Sequence, residues 1–236
     1  MEAYVGTSGY AYKEWKGKFY PDDLPADQML RHYAERLRTV EINNTFYRMP
    51  AESVLDRWNA QVPDGFSFVL KAPRRITHMG RLKDVGDPVG FFLERANRLE
   101  GKLGPLLFQL PPYFKKDIER LEAFVALLPE GRRVAVEFRH LSWFDDAVYE
   151  ILRSANIALC MADGELKGGA PPFVATADWG YLRLRRVEYD DGALAGWANT
   201  ILKQSWNEVY VFFKHEDDAA GPAMAARFAE MLEERG

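Results

Sequence analysis

Cysteine is almost absent from this sequence. Cys160 is the single cysteine among 236 residues, so no disulfide can form within the chain and no disulfide partner is expected. That composition suits a reducing compartment, and we expect a cytoplasmic protein. The first ten residues lack the basic and apolar segments of a signal peptide, so no secretory leader is expected.

Long hydrophobic runs and an excess of positive charge are also lacking. No stretch reaches about 18 consecutive apolar residues, so no membrane span and no membrane partner are expected. The formal net charge of −4 argues against a general attraction to nucleic acid, although a local basic patch is compatible with it. Hydrophobic residues make up 47% of the chain, as in ordinary globular proteins, and we expect one domain over residues 1–236.

Runs with high β-propensity alternate with segments of helical spacing along the chain. Parallel strands need crossover connections, so this alternation predicts an α/β fold, and eight units predict a single (β/α)8 TIM-type barrel. The predicted strands are Ala3–Thr7, Thr39–Asn43, Phe66–Lys71, Pro105–Leu110, Arg133–Phe138, Ile157–Met161, Tyr181–Arg185 and Val209–Lys214. The clearest predicted helices are Asp27–Leu37, Pro88–Leu99, Lys116–Leu128, Asp145–Ser154 and Gly221–Glu234.

The rival architecture is an open, doubly wound sheet. Such a sheet places a GxGxxG phosphate turn after its first strand, and the sequence from Gly6 to Tyr10, GTSGY, does not match it. The barrel prediction has one weak segment, Gly164–Asp178, which contains Pro171 and Pro172 and no helical spacing. We therefore expect an irregular sixth helix or a loop there.

Strand parity predicts a polar barrel interior. Alternate side chains of a strand point to opposite faces, and the face against the helices must be apolar. In the fifth strand Val134, Val136 and Phe138 take the helix face, which directs Glu137 and Arg139 inward. Gln109 lies at the end of the fourth strand, in phase with Leu107. The same rule directs the following polar and aromatic side chains inward: Glu41, Asn43, Lys71, Tyr181, Arg183, Arg185, Tyr210, Phe212 and Lys214.

Most of these residues fall near the C-terminal ends of their strands, where barrel active sites are built. Five positive groups and two negative groups among them give a predicted local charge of +3. Buried charges cost several kcal/mol each unless they are paired or hydrated, so we expect a pocket with a use. The structural alternative is an internal network, with Glu137–Arg183 or Glu41–Lys71 as simple ion pairs.

Several motifs resemble those of the YecE-like family, a domain of unknown function. The resemblance covers nearly the whole chain. It is carried by Gly6 to Tyr10 with Trp15, Gly17 and Phe19-Tyr20-Pro21; by Val40 to Tyr47 with Pro50; by Phe66-Ser67-Phe68 with Lys71, Pro73, Ile76, Thr77 and His78; by Leu107 to Pro112 with Phe114; and by Val136 to His140 with Ser142 and Trp143.

The resemblance implies a TIM-type barrel, and it implies a site similar to that of metal-dependent DNA-repair endonucleases of the same barrel type. Two strand ends depart from the family pattern. Many members carry Tyr-x-Arg-x-His-Gly in the seventh strand. This chain has YLRLRR from Tyr181, so the arginine of the motif is present as Arg183 and the His-Gly pair is absent. Many end the eighth strand in paired Asn residues, where this chain has KHED from Lys214.

The first functional hypothesis is a hydrolase or lyase acting on an anionic substrate such as a phosphoester or sugar phosphate. Lys71, Arg139 and Arg183 would hold the anion. Glu137 or Glu41 would act as general base or acid, with His78 or His140 as alternative proton carriers. The further predicted ligand contacts are Tyr10, Asn43, Tyr47, Gln109, Trp143 and Lys214.

Two other classes stay open. A metal-dependent nuclease or phosphatase is not favoured, because no short ligand spacing joins the candidates and a basic pocket repels a bare cation. Those candidate ligands are Glu41, His78, Glu137, His140, Asp163, His215 and Asp217. A non-catalytic binder of nucleic acid or nucleotide would stack bases on loop aromatics. These are Tyr10, Tyr12, Trp15, Tyr20, Phe46, Tyr47, Trp143 and Trp179, which could equally pack the loops. The sequence leaves the cofactor unknown, with a divalent metal possible but not favoured.

Overall fold

The computed structural model describes residues 1–163, 171–214 and 219–235. Within these ranges the strands are β1 (Glu2–Ser8), β2 (Thr39–Ile42), β3 (Ser67–Lys71), β4 (Leu103–Gln109), β5 (Val134–Glu137), β6 (Ala158–Leu159), β7 (Met161–Ala162), β8 (Trp179–Leu184) and β9 (Glu208–Phe213). All pairings are parallel, in the order β6-β5-β4-β3-β2-β1-β9-β8-β7.

The sheet curls into a nearly closed TIM-type barrel. β6 and β7 lie on either side of Cys160 and form the two halves of one barrel strand, the first pairing with β5 and the second with β8. The nine strand segments therefore occupy eight positions around the barrel, which confirms the predicted α/β barrel.

Helices connect the strands. They are α1 (Met29–Ala34), α2 (Glu52–Gln61), α3 (Gly86–Ala96), α4 (Ile118–Val125), α5 (Asp146–Ser154), α6 (Asp191–Leu202) and α7 (Ala220–Arg235). The Asp117, Asp145 and Asp190 side chains cap the N-termini of α4, α5 and α6 by accepting from backbone N–H groups. Nowhere in the described ranges is a helix long and apolar enough to cross a membrane.

The connection after β7 differs from the others, as expected. Residues 171–178 contain no helix, and the rest of the predicted irregular segment, 164–170, lies outside the described residues. Two helices, α2 and α6, had no counterpart among the predicted ones. The predicted helix Asp27–Leu37 is shorter in the structure, because a 3-10 turn at Ala26–Gln28 precedes α1.

Two apolar layers confirm the parity of the strands. The layer between strands and helices includes Val134, Val136 and Phe138 from β5 and the residue after it. The layer inside the barrel is a separate cluster. Its buried members are Val69, Leu107, Ala135, Ala158, Cys160, Trp179, Tyr181, Tyr210 and Phe212. Above this inner layer, toward the C-terminal strand ends, the interior becomes polar.

Candidate functional site

The candidate site is a ring of five polar side chains on the barrel axis, which we call the polar ring. Each member stands at or near the C-terminal end of its strand, where the inner apolar layer stops. All are buried, with exposed fractions from 0% for Glu41 to 9% for Lys71. The members are Glu41 of β2, Lys71 of β3, Gln109 of β4, Glu137 of β5 and Arg183 of β8.

Arg183 joins the two carboxylates of the polar ring. Its Nη1 donates to Oε2 of Glu137 at 2.6 Å, and its Nη2 donates to Oε1 of Glu41 at 2.8 Å. Both acceptors and the guanidinium are almost completely buried. Of the two ion pairs proposed from sequence, Glu137–Arg183 is therefore present, whereas Glu41 pairs with Arg183 instead of Lys71.

The Glu41 carboxylate accepts hydrogen bonds from four side chains. Besides Arg183, its Oε1 accepts from Ser8 Oγ at 2.8 Å and Asn43 Nδ2 at 3.0 Å, and its Oε2 accepts from the Tyr181 hydroxyl at 2.6 Å. Burial alone would raise the pKa of Glu41, but the charge of Arg183 and these hydrogen bonds outweigh burial and lower it. Glu41 is thus an ionised group that holds its neighbours in place.

Gln109 connects Lys71 to Glu137. Lys71 Nζ donates to Gln109 Oε1 at 2.9 Å, and Gln109 Nε2 donates to Glu137 Oε1 at 2.8 Å. An ammonium can only donate and a carboxylate can only accept, so the orientation of the Gln109 amide is dictated by its two neighbours. The amide therefore separates the charge of Lys71 from that of Glu137.

Two more guanidinium groups reach Glu137 from the mouth of the barrel. Arg139 Nε lies 3.7 Å and Arg185 Nη1 lies 3.9 Å from Glu137 Oε1, which are ion-pair distances longer than a hydrogen bond. Burial opposes the charge on Glu137, but Arg183, Arg185 and Arg139 together lower its pKa to about 2. Glu137 is ionised throughout the physiological range.

Lys71 sits in an unusual place for an ammonium group. Its Nζ lies 4.6 Å from the centroid of the Phe46 ring, in a cation–π arrangement. The same ring makes an edge contact with His78, with centroids 4.8 Å apart. Burial and the charge of Arg183 lower the pKa of Lys71 to about 8, and burial together with the charge of Lys71 lowers the pKa of His78 to about 4.

The described part of the site is positively charged. The cations are Lys71, Arg139, Arg183 and Arg185, and the carboxylates are Glu41 and Glu137, so four positive and two negative groups give +2. The predicted +3 included Lys214, which follows β9 and is exposed, unlike the polar ring. The sign of the net charge is therefore as predicted, and its magnitude is smaller by the one charge of Lys214.

Three predicted ligand contacts lie at the rim of the barrel. Tyr10 and Asn43 line a small cleft of about 110 Å³ with Trp58. Burial raises the pKa of Tyr10 to about 12, so its hydroxyl stays protonated. Tyr47 is 71% exposed, with the guanidinium of Arg74 6.0 Å from its ring. These side chains border the polar ring instead of joining its hydrogen bonds, except for Asn43.

Two residues of the predicted site serve the scaffold. Trp143 is fully buried, stacks on Phe138 at 4.7 Å and donates its indole N–H to the Phe114 carbonyl. It was predicted to contact a ligand, and its position in the core corrects that prediction. His140 Nδ1 contacts Ser142 Oγ at 2.9 Å and accepts from its backbone N–H, which caps the 3-10 turn Leu141–Trp143.

The residues considered as metal ligands do not assemble in the described ranges. Residues 1–163, 171–214 and 219–235 contain no group of three or more His, Cys, Asp or Glu side chains that could hold a metal ion. Asp163 instead accepts from the backbone N–H of Arg185 and the hydroxyl of Tyr189, both at 2.6 Å, and so holds the turn after β8. His215 and Asp217 lie outside the described residues.

Most loop aromatics pack against the barrel. Trp15, Trp143 and Tyr20 are at most 1% exposed, which matches the packing alternative, whereas the Tyr47 ring is open to solvent. Trp179, predicted as a loop aromatic, instead begins β8 and is buried inside the barrel. Sequence inspection missed Ser8 because the predicted first strand stopped at Thr7, one residue short. Continuing the alternation by one step would have placed Ser8 inward, since it follows Tyr4 and Gly6 at spacings of two.

The comparisons with known proteins agree with this barrel. The profile of a family described as "Protein of unknown function DUF72" matches residues 4–236. The chain is 23% identical over 230 residues to the UPF0759 protein YunF of Bacillus subtilis, covering 90% of this chain and 78% of that protein.

Two solved structures are similar over almost the whole chain. A DUF72 family protein of Thermotoga maritima superposes with a TM-score of 0.86 and 30% identity, covering 99% of this chain and 100% of that one. A DUF72 family protein of Enterococcus faecalis gives a TM-score of 0.78 at 21% identity, covering 98% and 94%, and shows the fold alone.

Proposed function

From the premise that this chain belongs to the DUF72 family, we propose that the mouth of its barrel binds a small anionic, phosphate-bearing substrate and acts on it as a hydrolase or lyase. The observation that carries the proposal is the convergence of Lys71, Arg139 and Arg185 on Glu137, directly or through Gln109. This convergence lies at the strand ends where TIM barrels place their sites.

The anion contacts are best assigned to Lys71, Arg139 and Arg185. Arg183 was expected to contribute, but both of its terminal nitrogens already donate to carboxylates. Arg139 keeps a quarter of its side chain exposed and stands nearer the solvent than the polar ring. Guanidinium groups suit phosphate oxygens because their N–H groups form a planar fork, and an ammonium adds a compact charge.

Proton transfer is better assigned to Lys71 and His78 than to the two carboxylates. A general base works best when its pKa lies near the operating pH, and a pKa of about 2 makes Glu137 a poor one. Lys71, with a pKa of about 8, can both give and take a proton near neutrality. His78, with a pKa of about 4, is neutral there and is a weaker base than Lys71. Glu41 and Glu137 then act as positioning residues for the cations.

The test is calorimetric titration with inorganic phosphate at low ionic strength. We expect Lys71→Met and Arg139→Ala each to weaken binding roughly 10- to 150-fold, because each removes a charge-assisted contact of about 1.5–3 kcal/mol. Arg153→Ala is the matched control, since Arg153 pairs with Glu150 on the surface of α5. Equal phosphate affinity in the wild type and both site variants would refute the proposal.

Nucleic acid is distinguished from a small anion by its salt dependence. An oligonucleotide held by six or more phosphate contacts loses affinity steeply with salt, roughly 10³-fold or more between 50 and 200 mM. A single phosphate contacted by three cations gives a much shallower slope. The shallow slope is expected here, because the cations converge on one buried carboxylate instead of spreading along a surface.

A further inference from the structure

Lys71 supports a second inference, which rests on the proposed function and narrows its substrate class. We propose that Nζ of Lys71 forms an imine with the substrate, so that the substrate is an aldehyde or ketone that also bears a phosphate group. Arg139 and Arg185 then hold the phosphate, and Lys71 attacks the carbonyl carbon.

The first support is the identity of the groups around Nζ. The hydrogen-bond partner of Lys71 is the neutral amide oxygen of Gln109, and among the described residues no carboxylate forms an ion pair with it. A buried lysine that is paired directly with a carboxylate is held in its charged form, which is not nucleophilic. The Gln109 amide is neutral, so it holds Nζ in a defined position without the charge of a directly paired carboxylate.

The second support is the surroundings of the amine. The Phe46 ring covers Nζ at 4.6 Å and excludes water from that side. Burial and the neighbouring charge of Arg183 lower the pKa of Lys71 from 10.5 to about 8. At about pH 7 that change increases the fraction of neutral amine on the order of a hundredfold. Desolvation and an adjacent cation are the two means by which proteins activate lysines for imine formation.

The chemistry balances without an oxidant or reductant. The nitrogen lone pair forms a bond to the carbonyl carbon, the carbonyl π pair moves to oxygen, and one nitrogen proton is transferred to that oxygen. The resulting hydroxyl and the second nitrogen proton then leave together as water, and the loss of water forms the C=N bond. A protonated imine accepts electrons from an adjacent bond, which favours the lyase branch of the proposed function.

The test is reductive trapping of the imine. The protein is incubated with glyceraldehyde 3-phosphate and sodium cyanoborohydride at about pH 7, and every lysine is then mapped by peptide mass spectrometry. We expect Lys71 to be modified at least about tenfold faster than Lys115, an exposed lysine in the loop after β4. Excess inorganic phosphate should suppress the modification of Lys71 and leave that of Lys115 unchanged.

Two variants separate the imine from the anion site. Lys71→Arg keeps the positive charge and loses the amine, so we expect it to bind phosphate and to yield no adduct at position 71. Lys115→Arg is the matched control and should leave the Lys71 adduct intact. Circular dichroism checks that both variants are folded.

The outcomes are distinguishable. Phosphate binding by the wild type without any adduct on Lys71 would overturn the imine and leave the anion site standing. Modification of Lys71 by unphosphorylated glyceraldehyde at the same rate, with no protection by phosphate, would overturn both the substrate class inferred here and the proposed anion site.

Discussion

Removal of Arg183 is the most informative perturbation of the polar ring. Arg183→Met keeps much of the side-chain volume and removes the one cation that, among the residues the structure describes, hydrogen-bonds to both Glu41 and Glu137. Breaking a buried ion pair by deleting one partner costs about 3–5 kcal/mol, because the remaining charge stays buried. For a protein of this length that corresponds to a fall in melting temperature of roughly 6 to 20 °C.

The pH dependence of the same variant has a predictable sign. In the wild type the pKa of Glu137 falls to about 2 from an ordinary value of 4.5, which contributes about 3 kcal/mol of stability. That contribution is present above about pH 4.5 and is lost as the pH falls toward 2. Arg183 is the largest of the groups that offset the burial of Glu41, so without it we expect the pKa of Glu41 to rise above the ordinary value. The variant should therefore gain stability as the pH falls from about 7 to 5, where the wild type should not.

The assay is urea denaturation followed by far-ultraviolet circular dichroism at several pH values. Arg153→Met, which breaks a surface pair with Glu150, is the control and should cost less than about 1 kcal/mol. Adding Glu41→Gln and Glu137→Gln to Arg183→Met should recover part of the loss, since neutral amides need no counter-charge. A loss no greater than that of the control, or a triple variant less stable than the single one, would refute the assignment of a buried charge triad.

Two further predictions concern Lys71 and Gly180. Sulfate, whose charge is constant near neutrality, should bind more weakly as the pH rises through about 8, because Lys71 loses its proton there. A sulfate affinity that does not change up to about pH 9 would contradict the assigned pKa of Lys71. Gly180→Ala should destabilise the protein by about 1–3 kcal/mol, since the added Cβ would lie 2.3 Å from the Trp206 ring. Gly101→Ala is the control: its added Cβ would meet no atom within 4 Å, and the same denaturation assay should show no comparable loss.

The direction of the ring side chains was predictable because it is a local property. The two-residue period of a strand assigns each side chain to one face, and the helices demand an apolar partner for one of those faces. Val134, Val136 and Phe138 together identified the outer face of β5 and so turned Glu137 inward. The same rule placed Glu41, Lys71 and Arg183 correctly, and it missed Ser8 only because the strand boundary was one residue short.

The predicted roles of several residues changed because roles depend on contacts that no local pattern encodes. Trp143 was predicted as a ligand contact and a loop aromatic, yet its ring stacks on Phe138 in the core. Arg183 was expected to bind an anion, and Glu137 to transfer protons. Their mutual hydrogen bond at 2.6 Å pairs Arg183 with a buried carboxylate, and Arg183 is the largest of the charges that lower the pKa of Glu137 to about 2.

Hydrophobic periodicity acts over a few neighbouring positions, and it was enough to predict the alternation of strands and helices, the parallel barrel and the inward direction of its charged residues. Which charges neutralise one another depends on contacts between distant parts of the chain. Arg183 and Glu41 are 142 positions apart in the chain, and they meet because closure of the barrel brings β2 and β8 to the same axis. The pairing of β3 with β4 places the Gln109 amide beside Lys71, so this lysine has a neutral hydrogen-bond partner.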